Sequence, residues 1–389
     1  MAGPLQGIRV VELGVWVAGP AAGGILADWG ADVVKIEPPT GDPARAFGRM
    51  LGIDDDAANP PFEMDNRGKR SVVLDVTTEQ GRTTALELLC DADVFITNVR
   101  PGALRRMGLD FAAVATSNRR LVYGLITGYG ETGPDADRAA YDVAAFWARA
   151  GLAHLLTRPG QTPPFQRGGM GDHSAGMTLA AAVCAALVAR ARTGEGQLVS
   201  TSLYRQGAYT VSFDLNTFLL SGHAIAIGQR ETMGNPCMNN YAAGDGRRFW
   251  IVGLEANRHW PPLCRAVGRP EWLTDPRFAT AWSRASHSAE LIAELDEIFA
   301  TRTLDEWADV FAAEPELFWA PINSVEDVVA DDQFHAAGGI VYVPEGDSTV
   351  PMVASPADFS GTPWAPRSVA PRLGEHTADV LAELRQRRG

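Results

Sequence analysis

Over its first 130 residues the chain alternates short β-rich runs with helix-like segments, and few folds accept that order. Residues 8–13 (Ile-Arg-Val-Val-Glu-Leu) lead into a small-residue stretch, 19–30, in which Ile25, Leu26 and Trp29 recur at helical spacing. Residues 32–37 form the next strand, ended by Pro38 and Pro39. Residues 71–75 precede a helical pattern over 78–91 carrying Leu86, Leu88 and Leu89, and the runs 93–97 and 121–126 complete the series. Parallel strands can be joined only by a crossover, so this alternation predicts βαβ units around a largely parallel sheet, an α/β fold.

The texture then changes twice. Residues 174–192 and 199–221 read as two helices separated by the turn Thr193-Gly-Glu-Gly196. The apolar run 177–189 reads as a buried helix, too short to span a bilayer and closed by Arg190 and Arg192. From about Gly228 a loop-rich entry with Asn235, Pro236, Asn239, Asn240, Gly244 and Gly246 precedes a strand at 248–252 and helices near 260–267, 289–300 and 304–313. That pattern predicts a smaller α+β domain over 226–330, after a large domain over 1–225. The segment 331–389 carries Pro344, Pro351, Pro356, Pro363, Pro366 and Pro371 and closes with a helix from about Thr377. A proline-rich excursion that still ends in a helix is expected to pack back onto the first domain.

Composition removes several functions. The 389 residues are 46% hydrophobic and 21% charged, with a net charge of −13, which lacks the basic footprint of a nucleic-acid binder. An anionic ligand would need a local basic patch. The four cysteines never form C-x-x-C and the seven histidines do not cluster, so neither a metal site nor a disulfide framework is expected. No basic leader precedes the first strand, and Glu12 interrupts its apolar run, so a soluble cytoplasmic protein without a membrane segment is expected.

Nucleotide and hydrolase motifs fail on inspection. After the first strand, Gly14, Gly19, Gly23 and Gly24 do not fall in G-x-G-x-x-G spacing, and no G-x-x-x-x-G-K-[ST] occurs. A turn with close helix–sheet packing explains those glycines at least as well as a ligand loop does. In Gly171-Asp-His-Ser-Ala-Gly176 a serine-hydrolase elbow would need glycine where Asp172 stands, and Ser174 reads better as a helix N-cap. Asp172 itself follows Gly168, Gly169 and Gly171 at the entrance of the apolar helix. A carboxylate so placed is a helix cap, a general base or a covalent nucleophile, and spacing alone favours the cap. His173 reads as a solvated or capping residue.

Four further segments make the pattern specific. They are Ala31-Asp-Val-Val-Lys-Ile-Glu-Pro-Pro-Thr-Gly-Asp-Pro43, Asn66-Arg-Gly-Lys-Arg-Ser-Val-Val-Leu-Asp75, Asn98-Val-Arg-Pro-Gly-Ala-Leu-Arg-Arg-Met-Gly108, and Gly128-Tyr-Gly130 leading to Tyr141-Asp142. With Asp172, and with Asp275-Pro-Arg-Phe278 and Ala320-Pro-Ile-Asn-Ser-Val-Glu-Asp327 further on, the chain resembles the family III CoA-transferases, which include formyl-CoA transferase, the carnitine CoA-transferases and α-methylacyl-CoA racemase.

The resemblance implies an interlocked homodimer and a Rossmann-like large domain built from both chain ends. It implies acyl-CoA and a carboxylic acid as substrates, with no permanently bound cofactor. Asp172 is then the nucleophile that attacks the thioester, with Gly171 and Tyr141 beside it. Gly168, Gly169 and Gly171 would let the carbonyl approach, because they carry no Cβ. Asn98 and Arg106 match positions near the nucleotide in relatives, Met107 packs either against adenine or in the core, and Arg67, Lys69, Arg70, Arg100 and Arg105 are the other basic residues in the matching segments. The racemases carry a histidine where this chain has Tyr141, and a phenol is poorly matched to proton abstraction at neutral pH. A 2-methylacyl-CoA racemase and a CoA-binding protein without turnover are therefore the alternatives to a transferase. Formyl-CoA transferase has a glutamine at Val17, a lysine at Thr127 and a glycine run at 235–240. Oxalate and formate are therefore not supported, and Val15, Trp16 and Val17 favour an apolar acyl group or acceptor.

Overall fold

The computed structural model describes residues 3–54 and 58–388. The chain divides into two compact units, one of Met1–Thr157, Pro163–Ile225 and Ala336–Gly389, the other of Arg158–Thr162 and Ala226–His335.

The larger unit is built on six strands: β1 (Arg9–Leu13), β2 (Asp32–Glu37), β3 (Arg70–Val73), β4 (Val94–Thr97), β5 (Val122–Thr127) and β6 (Leu198–Ser202). They pair in parallel in the order β3-β2-β1-β4-β5-β6, a Rossmann-like sheet. Strand order reverses between β1 and β4, so the loops after these two strands diverge and leave a crevice, the usual place for a ligand in such sheets.

Two helices that cover the sheet explain the early glycines. The Ala18–Asp28 helix is buried along nearly its whole length. A Cβ on Gly24 would lie 2.8 Å from the Asp65 carbonyl oxygen, and one on Gly176 of the Met170–Thr193 helix would lie 2.8 Å from Ala21 Cβ. These glycines bring helix backbones together, the packing role that spacing set against a ligand loop. The Met170–Thr193 helix starts four residues before the expected start at Ser174. At 24 residues it is long and apolar enough to cross a bilayer by length and composition. Its Leu179, Ala180, Val183 and Ala186 face the core, whereas Met177 and Val188 are exposed.

The region expected to be one helix over 199–221 is different. Its first residues, Leu-Val-Ser-Thr-Ser, form β6 against β5, and two helices, Leu203–Thr210 and Ser212–Ser221, follow. The β-branched residues at 199 and 201 prefer the strand, and Ser202 caps the next helix by accepting from Arg205 N at 3.0 Å.

Both chain ends lie in the larger unit. The Thr377–Arg388 helix places Val380 and Leu384 in the same apolar cluster as Val11, Val34 and Phe95. Thr377 Oγ1 accepts from Val73 N at 3.0 Å, at the β3 edge. The tail before it holds a hairpin that the prolines concealed, β10 (Ile340–Glu345) with β11 (Ser348–Val353). Pro344 and Pro351 are tolerated there because a two-stranded sheet has two open edges.

The smaller unit has an antiparallel sheet in the order β7 (Met238–Ala242), β8 (Arg248–Val252), β9 (Trp319–Pro321). The helices Trp260–Ala266, Ser288–Phe299 and Leu304–Ala312 pack an aromatic core of Tyr241, Phe249, Phe299, Trp307 and Phe311. The last helix is fixed at its start by a reciprocal cap between Thr303 and Glu306.

Candidate active site

The crevice between β1 and β4 is closed by one amide. Asn98, directly after β4, accepts from Val15 N at 3.0 Å through Oδ1 and donates to Val15 O at 2.7 Å through Nδ2. Its side chain thus fixes the loop after β1, and both ends of the amide are used. The next residue, Trp16, has φ +63°, the one positive φ outside glycine among the described residues. That conformation costs about 1–3 kcal/mol for a residue with a side chain and persists only where neighbours enforce it. Here Asp42 Oδ1 accepts from Trp16 N at 2.9 Å, and Lys35 Nζ lies 2.9 Å from Asp42 Oδ2, 2.9 Å from Glu12 Oε1 and 3.0 Å from Gly14 O. Burial disfavours the Lys35 cation, but Glu12 and Asp42 outweigh it and hold the lysine charged. The Trp16 ring meets Phe47 edge-on at 5.3 Å and Tyr141 at 5.9 Å.

Asp172 enters from the other side, on the first turn of the Met170–Thr193 helix. It is not a cap. Gly169, in the left-handed region at φ +75°, holds the flanking position without any side-chain bond. The Asp172 carboxylate is half-buried and has no hydrogen-bond partner among the described residues. Burial, with the Asp142 carboxylate nearby, pushes its pKa up to about 7, against the opposing pull of His173.

The glycines around Asp172 do different jobs. Gly168 has no heavy atom within 4 Å of a would-be Cβ and lies open. At Gly169 such an atom would meet the His173 ring at 3.1 Å and Val17 Cγ1 at 3.7 Å, which places the end of the β1 loop against the start of the helix. Gly171 does not make room for a ligand, contrary to the sequence expectation. A Cβ there would lie 2.2 Å from Asp142 Oδ1 and 2.3 Å from Phe146 Cγ, and its N–H donates to Asp142 Oδ2 at 3.0 Å. Its missing side chain admits protein.

Two other expectations need correction. Ser174 lies in the second turn and donates to Met170 O at 2.8 Å, because the helix begins before it. His173 is neither free nor a cap: its Nε2 lies 3.1 Å from Oδ1 of Asp65, a carboxylate with 4% of its side chain exposed. Sequence reading missed Asp65 and Asp42, which join the site from 108 and 26 residues away; Asp42 stands in the motif at 31–43, but nothing in that motif marks its contact with Trp16.

The basic residues separate sharply. Arg67 is buried in a bidentate pair with Asp28, at 3.0 and 2.6 Å, and also donates to Val353 O, so it cannot reach a phosphate. Lys69 is buried too, bonded to Glu12, Asn66 and Pro20 O, and burial pushes its pKa down to about 8 despite Glu12. Arg70 is committed to Asp32 and Glu383 at 2.6 and 2.8 Å. These three are removed from the expected CoA contacts: inward-facing strand ends demand charge partners, and partners were found. Met107 packs against the apolar cluster around Leu104 and Tyr123, which favours core packing over an adenine contact. Arg100, Arg105 and Arg106 remain exposed along the Pro101–Met107 helix, the first two near Asp137 and the third without a partner among the described residues. No group of three metal-ligating side chains occurs among the described residues.

Val15, Trp16, Val17, Tyr141, Gly168, Gly169 and Asp172 thus share one site, and comparison with known proteins gives it a family. The profile of CoA-transferase family III matches residues 5–377. The chain belongs to that family. It is 34% identical to the (R)-2-hydroxy-4-methylpentanoate CoA-transferase of Clostridioides difficile over 98% of this chain and 95% of the relative. It is 36% identical to the succinate–glutarate CoA-transferase of Agrobacterium fabrum over 98% and 96%. Among solved structures, a CAIB/BAIF family protein from Brucella suis superimposes with a TM-score of 0.87 at 34% identity, covering 99% of this chain and 100% of the other. The protein is a CoA-transferase enzyme acting on CoA thioesters.

The raised Asp172 pKa has a consequence for stability. An unfolded aspartate near 3.8 becomes a folded one near 7, so the native state resists ionising it. The resulting penalty is absent below pH about 4, grows through the intervening range and is complete above pH about 7. Asp172→Asn is expected to stabilise the protein by up to about 4 kcal/mol at pH 8 and by less than about 1 kcal/mol at pH 4. Urea denaturation at the two pH values checks this, and a gain independent of pH contradicts it.

Proposed function

We propose that this enzyme moves CoA from an acyl-CoA to a carboxylic acid through covalent intermediates on Asp172. The observation that carries the reading is the unpaired, half-buried carboxylate of Asp172 at an open glycine entrance. A carboxylate is a weak nucleophile in water; desolvation raises its basicity and reactivity. An ordinary cap would have spent its oxygens on backbone N–H groups.

The steps balance without a net proton. The Asp172 carboxylate attacks the thioester carbonyl, the C–S bond breaks, and CoA leaves as thiolate from a mixed anhydride. The thiolate attacks the Asp172 carbonyl of that anhydride, releasing the donor acid as carboxylate and leaving an aspartyl-CoA thioester. The acceptor carboxylate then attacks this thioester to give a second anhydride and CoA thiolate. Attack of that thiolate on the acceptor's carbonyl yields the new acyl-CoA and restores Asp172. Trp16, Val15 and Val17 with Tyr141 supply an apolar wall, and Arg100, Arg105 and Arg106 supply exposed cations for the CoA phosphates. Relatives named for 2-hydroxy-4-methylpentanoate and phenyllactate agree with an acid that carries an apolar side chain.

We also propose a homodimer. The Ser212–Ser221 helix has no buried residue, and Tyr209, Phe213, Leu219 and Leu220 are each more than three-quarters exposed. Such a surface marks a protein contact. Sedimentation equilibrium should give twice the chain mass, and a monomer at micromolar concentration contradicts the assignment.

One observation favours a second reading. The Asp65–His173 pair puts a titratable imidazole beside Asp172, as α-proton exchange would require. The two are separated by one variant and one assay. Asp172→Ala should lower CoA transfer by at least about 10³-fold while the protein stays folded. Incubation of the wild type with a 2-methylacyl-CoA in D₂O should leave the α-proton in place. Exchange without any acceptor acid supports the racemase, and transfer near the wild-type rate in Asp172→Ala removes the aspartyl mechanism.

A further inference from the structure

The Asp65–His173 pair has no part in the steps above, yet it borders the carboxylate that performs them. Asp65 belongs to the Pro60–Asn66 helix, whose start is capped by Asn59 and whose Asp65 carbonyl presses against Gly24 of the neighbouring helix. The Asp65 carboxylate is therefore fixed and buried, and it receives His173 Nε2. An ionised carboxylate only accepts hydrogen bonds, so Nε2 carries a hydrogen, and Nδ1 is the nitrogen left to act.

Nδ1 has no protein partner among the described residues. It looks onto the left-handed bend at Gly169, where a Cβ would stand 3.3 Å from it, and the adjoining Gly168 is open. About half of the His173 side chain is exposed, 48%. The charged groups facing the ring are Asp65 from the Pro60–Asn66 helix, Asp172 from its own helix and Asp142 from the segment before the next turn. All three are carboxylates, and the Asp65 bond, ahead of the opposing effect of burial, holds the imidazole above its ordinary pKa.

A transferase must bring a second carboxylate into this company. At that stage Asp172 is an uncharged thioester, but the incoming acid anion still meets the carboxylates of Asp142 and Asp65, and like charges at close range in a partly buried site repel. The site needs one cation on the open side. We propose that His173, oriented by Asp65, receives the carboxylate of the acceptor acid through Nδ1–H and so sets the enzyme's affinity for the free acid. This inference rests on the CoA-transfer reading. It makes His173 an acid-binding residue that does not act in the thioester attack, which Asp172 carries out without a proton.

The test separates the two acids' half-reactions in the full-length protein. A panel of acids is first assayed against succinyl-CoA and 4-methylpentanoyl-CoA, and the pair that turns over is used thereafter. The donor half-reaction is followed alone by hydroxylamine capture of acylated Asp172 without acceptor. His173→Gln is expected to raise the acceptor KM at least about 10-fold while the acyl-CoA KM and the capture rate stay within about twofold. In the wild type the acceptor contact is present when the imidazole is protonated and is lost as pH rises through its pKa, so acceptor KM should climb with pH. That climb should vanish in His173→Gln and move to lower pH in Asp65→Asn.

A merely structural His173 would depress capture and raise both KM values together, which overturns the inference. So does an acceptor KM unchanged in the folded variant. Should His173→Gln fail to fold, a pH-independent acceptor KM in the wild type overturns it equally. Absence of both turnover and capture in the wild type is the failure of the transferase reading itself, and is distinguished by that first measurement.

Discussion

The carboxylate of Asp42 stands between a buried lysine and the backbone of Trp16, and the geometry of the site depends on it. Without it the loop after β1 has nothing to hold a tryptophan at φ +63°. The chain of contacts runs from Glu12 on β1 to Lys35 on β2, then to Asp42 and to the loop itself, with Asn98 clamping the other side from β4. Every member except the loop is anchored in or next to the sheet. A buried charge that loses its partner is costly, so each link enforces the next. Stability and site geometry are thereby one property: the ions that must be paired inside the sheet are paired in a way that shapes the crevice above it.

The second organising feature is a crowd of carboxylates. Asp142 is held by Gly171 N, Asp65 by His173, and Asp172 by nothing among the described residues. Burial raises the pKa of both Asp65 and Asp172, and for Asp172 the Asp142 charge adds to it. The close contact between Gly171 and Asp142 matters here. It keeps the second carboxylate near Asp172.

Much of this was legible in the sequence, for physical reasons that differ by element. The parallel sheet announced itself through strand–helix alternation, since periodicity is local. The boundaries at Asp32–Glu37 and Arg248–Val252 fell where the β-rich runs began and ended. The Leu198–Ser202 strand was lost to a helix reading, because five residues of half-buried polar alternation give little signal beside a long helix. The hairpin at Ile340–Val353 was hidden behind prolines that an edge strand accepts. Asp172, Tyr141 and the Val15–Val17 loop, singled out through motifs, lie together in the structure. Arg67, Lys69 and Arg70 were misplaced because a basic residue in a motif looks the same whether it faces solvent or a buried carboxylate. Asp65 and His173 meet across 108 residues, a separation that no local pattern records.

What unites these features is a carboxylate kept reactive by what surrounds it and what does not bond it. The most direct test is isotopic. If Asp172 forms both anhydrides, then an acceptor acid labelled with ¹⁸O in its carboxylate must leave one labelled oxygen on Asp172 after turnover, because the acceptor's bridging oxygen stays with the enzyme when thiolate takes the acyl group. Peptide mass spectrometry of the enzyme after turnover with labelled acid should find ¹⁸O in the peptide containing Asp172 and nowhere else. Full turnover with no label on Asp172 would contradict the account.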